Sequence, residues 1–183
     1  MGGLIGGPRT VFPMTHSASF DSLTLRRTLG AFTTGVTVVT LVDDAGRWQG
    51  LTVNSFNSVS LNPPLILWSL GLGTPGFEAF QNAERFVVNI LAADQVAVSQ
   101  RFATSIADKF AGIPVRRGLG GAPLLEGCVA ALECCTETLY PGGDHIIFIG
   151  RVERLHHDPE RPPLLYYQGC YREIGQVVQE EAE

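Results

Sequence analysis

Lysine is almost missing from this chain: Lys109 is the only one. Thirteen basic side chains face 18 acidic ones, for a formal net charge of −5. Without a Lys/Arg cluster, the sequence has no electrostatic footprint for nucleic acid or for an anionic membrane surface. Long apolar runs are also missing; none approaches the ~20 residues of a membrane-spanning helix, and the N-terminus lacks the charged-then-apolar order of a secretory leader. A soluble, cytoplasmic protein is expected. The four cysteines, Cys128, Cys134, Cys135 and Cys170, have no metal-ligand spacing, and Cys134 and Cys135, adjacent on a strand, would point to opposite faces. Reduced, packed thiols and no metal site are the expectation. There is no G-x-S-x-G elbow, H-E-x-x-H pair or Walker A loop, so the matching serine-hydrolase, zinc-protease and nucleotide-hydrolysing chemistries have no support.

What is present is a chain with 45% apolar and 17% charged residues, enough for one domain with a substantial core. That domain is expected over 21–175, behind a loose Gly- and Pro-containing arm over 1–20 and ahead of an acidic tail over 176–183. Asp21 or Ser22 caps a predicted helix whose Leu25, Leu29 and Phe32 form one stripe, ended by Gly35. Val36 to Val42 and Trp48 to Phe56 read as a hairpin about the turn Asp43-Asp44-Ala45-Gly46. Further strands are expected over 65–70, 86–91, 128–140, 145–156 and 164–167. A short helix runs from Thr74-Pro75 to about Glu84, and another, capped by Asp94, continues to Phe110. Gly112 to Pro123 reads as a loop or flap. Six or seven mostly antiparallel strands with three short helices favour a small β-barrel.

The stretch from Gly50 to Gly73 organises the rest. Its first half alternates the short polar residues Thr52, Asn54, Ser55, Asn57, Ser58 and Ser60 with apolar ones, and its second half turns at Asn62-Pro63-Pro64 into the nearly unbroken apolar run Leu65 to Leu70. A buried strand beside a rim of hydroxyls and amides resembles a pocket wall. Gly71-Leu-Gly-Thr-Pro-Gly76 then matches the dinucleotide fingerprint G-x-G-x-x-G. That motif needs repeated strand–helix–strand crossovers in a parallel sheet, whereas hairpin-linked strands surround it here. Gly71, Gly73 and Gly76, around a helix start capped by Thr74, remain candidates to present backbone N–H groups to an anion, or simply to allow a tight turn.

Residues 50–70, with Gly35-Val-Thr-Val-Val-Thr40 before them and Gly143-Asp144-His145 after, resemble the flavin reductase family. The resemblance runs in order over roughly residues 22–172. It implies a mainly β, FMN-binding type of split barrel that uses NADH or NADPH to reduce FMN or FAD, as a homodimer, often for a partner flavin-dependent monooxygenase. By position, Thr52, Val53 and Asn54 inherit contacts to the isoalloxazine edge. Ser55 and Phe56 inherit contacts to ribityl or phosphate groups, with Ser58 and Ser60 beside them or engaged in turn chemistry. Many relatives have a basic or hydroxyl-rich cluster after the Leu65–Leu70 strand; here a phosphate would rely on the helix N-terminus plus Arg101 or Lys109.

The resemblance makes His145 the candidate catalytic residue, since in the family Gly-Asp-His lies beside the flavin where nicotinamide enters, with Asp144 able to fix its tautomer. Tyr166 and Tyr171 in the closing segment either approach the cofactors or cover the barrel mouth. Hydride transfer asks little of side chains beyond alignment and exclusion of water, consistent with the lack of a conspicuous triad. A pyridoxamine-phosphate oxidase type of enzyme, which shares the barrel plan, and a non-catalytic flavin- or haem-binding module remain alternatives.

Overall fold

Asp21 starts the first helix as expected: its carboxylate accepts the Thr24 N–H at 2.6 Å. In the computed structural model, which describes residues 19–176, this helix is α1 (Ser22–Leu29). The predicted arm and tail lie almost wholly outside the described residues. α1 stops at Gly30, ahead of the expected Gly35, because the chain turns into the short strand β1 (Thr34–Gly35). No residue of α1 is buried, and the stripe faces away from the barrel, with Leu29 64% and Phe32 75% exposed.

The β-branched run forms β2 (Thr37–Val42) and returns as β3 (Trp48–Val53). Asp43 fixes the turn by accepting the N–H groups of Ala45 and Arg47 at 3.0 and 2.8 Å. β3 ends three residues before the expected Phe56, and the chain bends at Asn54 to Phe56 into a new strand, β4 (Asn57–Leu61), paired with β5 (Pro64–Gly71). Local alternation does not reveal this bend, because the interaction that sets it is distant. The Ser55 hydroxyl donates to the Ser69 carbonyl at 3.0 Å and accepts the Ser69 N–H at 2.9 Å, replacing strand pairing with a side-chain clamp.

The remaining elements are α2 (Phe77–Asn82), β6 (Arg85–Ile90), α3 (Val96–Ala103), β7 (Val115–Arg117), β8 (Pro123–Leu125), β9 (Ala130–Gly142), β10 (His145–His157), β11 (Leu165–Tyr167) and β12 (Cys170–Arg172). Seven strands form one sheet in the order β3-β2-β6-β9-β10-β5-β4, every neighbouring pair antiparallel. The sheet curls until β3 meets β5 at the Ser55 clamp, giving a split barrel. The glycine fingerprint therefore lies outside the parallel setting that gives it dinucleotide meaning.

Trp68 anchors the interior, stacked on Phe148 with ring centroids 4.2 Å apart and edge-on to Phe80 and Phe86. Asn89, fully buried, ties three strands: its Nδ2 donates to the Val38 carbonyl and the Thr40 hydroxyl, and its Oδ1 accepts the Leu125 N–H. Cys134 packs in the core while Cys135 faces the other way, and all four cysteines are free. Burial pushes the Cys134 thiol up to about 12, which leaves it inert as a nucleophile.

Three expectations are corrected. α2 begins at Phe77 behind Gly76, whose φ of 78° is left-handed; Thr74 instead closes a turn by accepting the Phe77 N–H. Asp94 caps nothing, since Gln95 takes the Ala92 N–H and Asp94 pairs with Arg161; α3 ends at Ala103, where Thr104 becomes extended, and does not continue to Phe110. The stretch from Gly112 to Pro123 is no loose flap. Its β7 pairs with β8, and Ala122, Leu124 and Leu125 are buried, so apolar anchors outweigh its glycine content. Beneath the tight turn between these strands, buried Glu133 accepts the Leu119 N–H at 2.5 Å and contacts His156 at 2.8 Å. Burial acts to raise the Glu133 pKa, but those partners and Arg154 hold it below the usual value.

Candidate functional site

The seam between β3 and β5 opens into a cleft of about 680 Å³, within the usual range for small-molecule sites. β3 is an edge strand, paired only with β2, and it lines one wall together with the following bend, over residues 49–55. Ser69, Leu70, residues 74–76 and Phe80 form the other wall; the loop after α3, Lys109 and His145 complete it. Among the described residues no carboxylate lines the cleft, and its basic groups are Lys109 and His145.

Gly50 permits the close packing on the outer face of β3. A Cβ there would lie 2.6 Å from the Phe102 ring and 3.2 Å from that of Phe110. The loop between α3 and Phe110 is tied down by Lys109, whose ammonium donates to the carbonyls of Gly50 and Phe102, both at 3.0 Å. One N–H of three remains for a ligand. Burial pushes the Lys109 pKa below its ordinary value.

His145 opens β10 on the β5 side of the cleft. Its Nδ1–H donates to the Asp144 carboxylate at 2.7 Å, and this bond holds the Asp144 pKa below the usual carboxylate range. A Cβ built on Gly71 would sit 3.6 Å from both His145 Nε2 and Thr74 Oγ1. The Asp144 contact therefore fixes the imidazole with Nε2 over Gly71 at the cleft rim.

The structure brings Thr52, Val53, Asn54, Ser55, Thr74, Lys109 and His145 together around the cleft. Two of the hydroxyls have other duties. Thr52 donates to the Ser99 carbonyl at 2.7 Å, so its oxygen offers a ligand only lone pairs, and Ser55 is engaged by Ser69 on both its donor and acceptor sides. Ser55→Ala is expected to cost about 1–3 kcal/mol by orphaning the Ser69 amide, and to lower the thermal midpoint by roughly 2–4 °C per kcal/mol. An unchanged midpoint would show that the seam closes without the clamp.

Other sequence candidates lie elsewhere. Phe56 packs against the barrel core, and Ser58 and Ser60 belong to the edge strand β4. Gly71 borders His145 from β5, while Gly73, Arg101 and Asp144 do not line the cleft. The helix start expected at Thr74-Pro75 falls instead at Phe77, behind Gly76, in a helix of six residues. Tyr166 and Tyr171 line a separate cavity of about 210 Å³, which shares Thr52, Val53, Asn54 and Ala103 with the cleft. The sequence reading missed Ser69, Phe80 and the loop over 103–107; a signal existed for Ser69, the lone polar residue in the run Leu65 to Leu70.

Fold and cleft together define a split-barrel protein whose seam suits an anionic ligand rich in hydrogen-bonding groups. The sequence model of the flavin reductase like domain matches residues 29–175. A flavin reductase from Pseudomonas putida is 38% identical over 154 residues, covering 84% of this chain and 91% of that protein. The reductase subunit of a flavin-dependent monooxygenase from Mycobacterium tuberculosis is 41% identical over 160 residues, covering 86% and 85%. Among solved structures, the Streptomyces globisporus NADH:FAD oxidoreductase, in complex with NAD and FAD fragments, aligns with a TM-score of 0.82 at 39% identity over 87% of this chain and 96% of its own. The chain belongs to the flavin reductase family.

Proposed function

We propose that this protein is an NAD(P)H-dependent flavin reductase that transfers hydride from a nicotinamide to FMN or FAD and supplies the reduced flavin to a separate monooxygenase. The observation that carries the reading is the cleft of a flavin reductase family member, lined among the described residues by Lys109 and His145 and by no carboxylate. Lys109 is the residue to meet a flavin phosphate, as a charge-assisted hydrogen-bond donor. Thr52, Val53 and Asn54 offer backbone groups, a hydroxyl lone pair and a free amide to the ring system along the edge of β3. When bound, flavin and nicotinamide supply the electron-transfer chemistry; the protein orients them, and Phe80 and Phe102 bring apolar surface to the cleft. A monooxygenase partner follows the M. tuberculosis relative, which is named as a reductase subunit.

The test is anaerobic decay of flavin absorbance with catalytic protein, excess FMN or FAD, and NADH or NADPH in turn. Rapid bleaching with one pair is expected and identifies both cofactors. Flavin binding without bleaching by either nicotinamide would replace the reductase reading with the oxidase or binding-module one.

The protein is proposed to act as a homodimer through α1. An eight-residue helix with no buried residue is too short to persist on its own helical propensity, and Leu25 and Leu29, with Phe32 just beyond the helix, present an exposed apolar face. A second copy of the chain would cover that face. Size measurement is expected to give a dimer for the native chain and a monomer for the double substitution Leu29→Asp, Phe32→Asp. A native monomer would remove the proposal.

A further inference from the structure

Ser99 is fully buried in α3, and its two polar groups serve two different elements. Its carbonyl accepts the hydroxyl of Thr52, a residue of the cleft wall, at 2.7 Å. Its own hydroxyl lies 2.9 Å from the phenol oxygen of Tyr171 on β12. Tyr171 in turn stands edge-on to Tyr166, with ring centroids 5.5 Å apart. The Tyr171 phenol is thus already engaged, and its ring lines the small cavity that shares Thr52, Val53 and Asn54 with the cleft.

We propose that Ser99 is a positioning residue for hydride transfer: the Tyr171–Ser99 hydrogen bond pins α3 against β12, and α3 holds Thr52 and the edge of β3 in register with the cleft. The inference rests on the flavin reductase reading. Its physical basis is the sensitivity of the chemical step to placement, since an error of ~1 Å in a reacting pair costs up to about 10²-fold in rate. Among the described residues β3 has a strand on one side only, and α3 and its loop pack on its outer face at Gly50. Tyr171 consequently bears on the reaction through Ser99. The polar contact is partly buried, and removing either hydroxyl removes the same bond.

The experiment measures hydride transfer in single-turnover, anaerobic mixing of the full chain with the flavin and nicotinamide that support bleaching. The variants are Tyr171→Phe, Ser99→Ala and the double variant, all held well below their measured thermal midpoints. Each single substitution is expected to slow the transfer step about three- to tenfold with flavin KM changed less than about twofold. The double variant is expected to match the slower single one, as for two partners of one interaction. Unchanged transfer rates, an effect confined to KM, or multiplying effects in the double variant would overturn the proposal. If Ser99→Ala does not fold, Tyr171→Phe alone decides, because it deletes one hydroxyl and keeps the ring packing. Failure of the native protein to bleach either flavin would instead remove the reductase reading and this inference with it.

Discussion

Replacing His145 by alanine is expected to slow flavin reduction by about 10- to 100-fold while leaving flavin KM within about threefold. The Asp144 contact makes the imidazole more than a flexible rim group. With the Asp144 pKa held low by the His145 hydrogen bond, the carboxylate takes Nδ1–H, and Nε2 is left over Gly71 at the cleft rim. A hydrogen bond from this nitrogen to a group whose charge changes during reduction has its greatest effect in the transition state, and bonds of that kind are worth about 1.5–3 kcal/mol. The loss should therefore fall on kcat. Asp144→Asn keeps the shape but removes the charge that orients the ring, so its effect should have the same sign and be smaller. Unchanged turnover of His145→Ala at saturating nicotinamide would take the residue out of the reaction.

Lys109→Met is expected to raise KM for FMN or FAD by about 10- to 100-fold, with riboflavin, which lacks the phosphate, affected far less. This contrast separates the two roles of the side chain. Its bonds to the Gly50 and Phe102 carbonyls hold the loop for any ligand, whereas its remaining N–H matters only to a phosphate. Equal losses for FMN and riboflavin would mean that Lys109 serves the loop alone.

The pH dependence has a definite sign. Burial lowers the Lys109 pKa from 10.5, so FMN affinity should fade as pH rises through that lowered value, earlier than for an exposed lysine. The effect on stability runs the other way. Between the lowered folded value and 10.5 the unfolded chain holds more of the proton, so this group's contribution is fully present above 10.5 and is lost as pH falls through the folded value.

Local pattern was enough for the strands whose partners lie next to them in sequence. The β2–β3 hairpin, the long β9–β10 hairpin and the apolar run of β5 follow from β-branched runs bounded by Asp, Gly and Pro. The opposed faces of Cys134 and Cys135 also follow from the period of a strand. By itself, then, the sequence determined a mainly β chain, a family resemblance over nearly all of it, and the short polar residues that came to line the cleft. Tertiary structure alone decided which of those residues have a free donor. Thr52 and Ser55 look alike in sequence, but Ser99 and Ser69, each reached only across the fold, take up their hydroxyl hydrogens. It also decided that Lys109 rather than Arg101 reaches the seam, and that Ser58 and Ser60 leave it. A hydrogen bond between residues far apart in the chain leaves no periodicity behind, so the direction of a hydroxyl and the end of a strand at a clamp become visible only when the barrel closes.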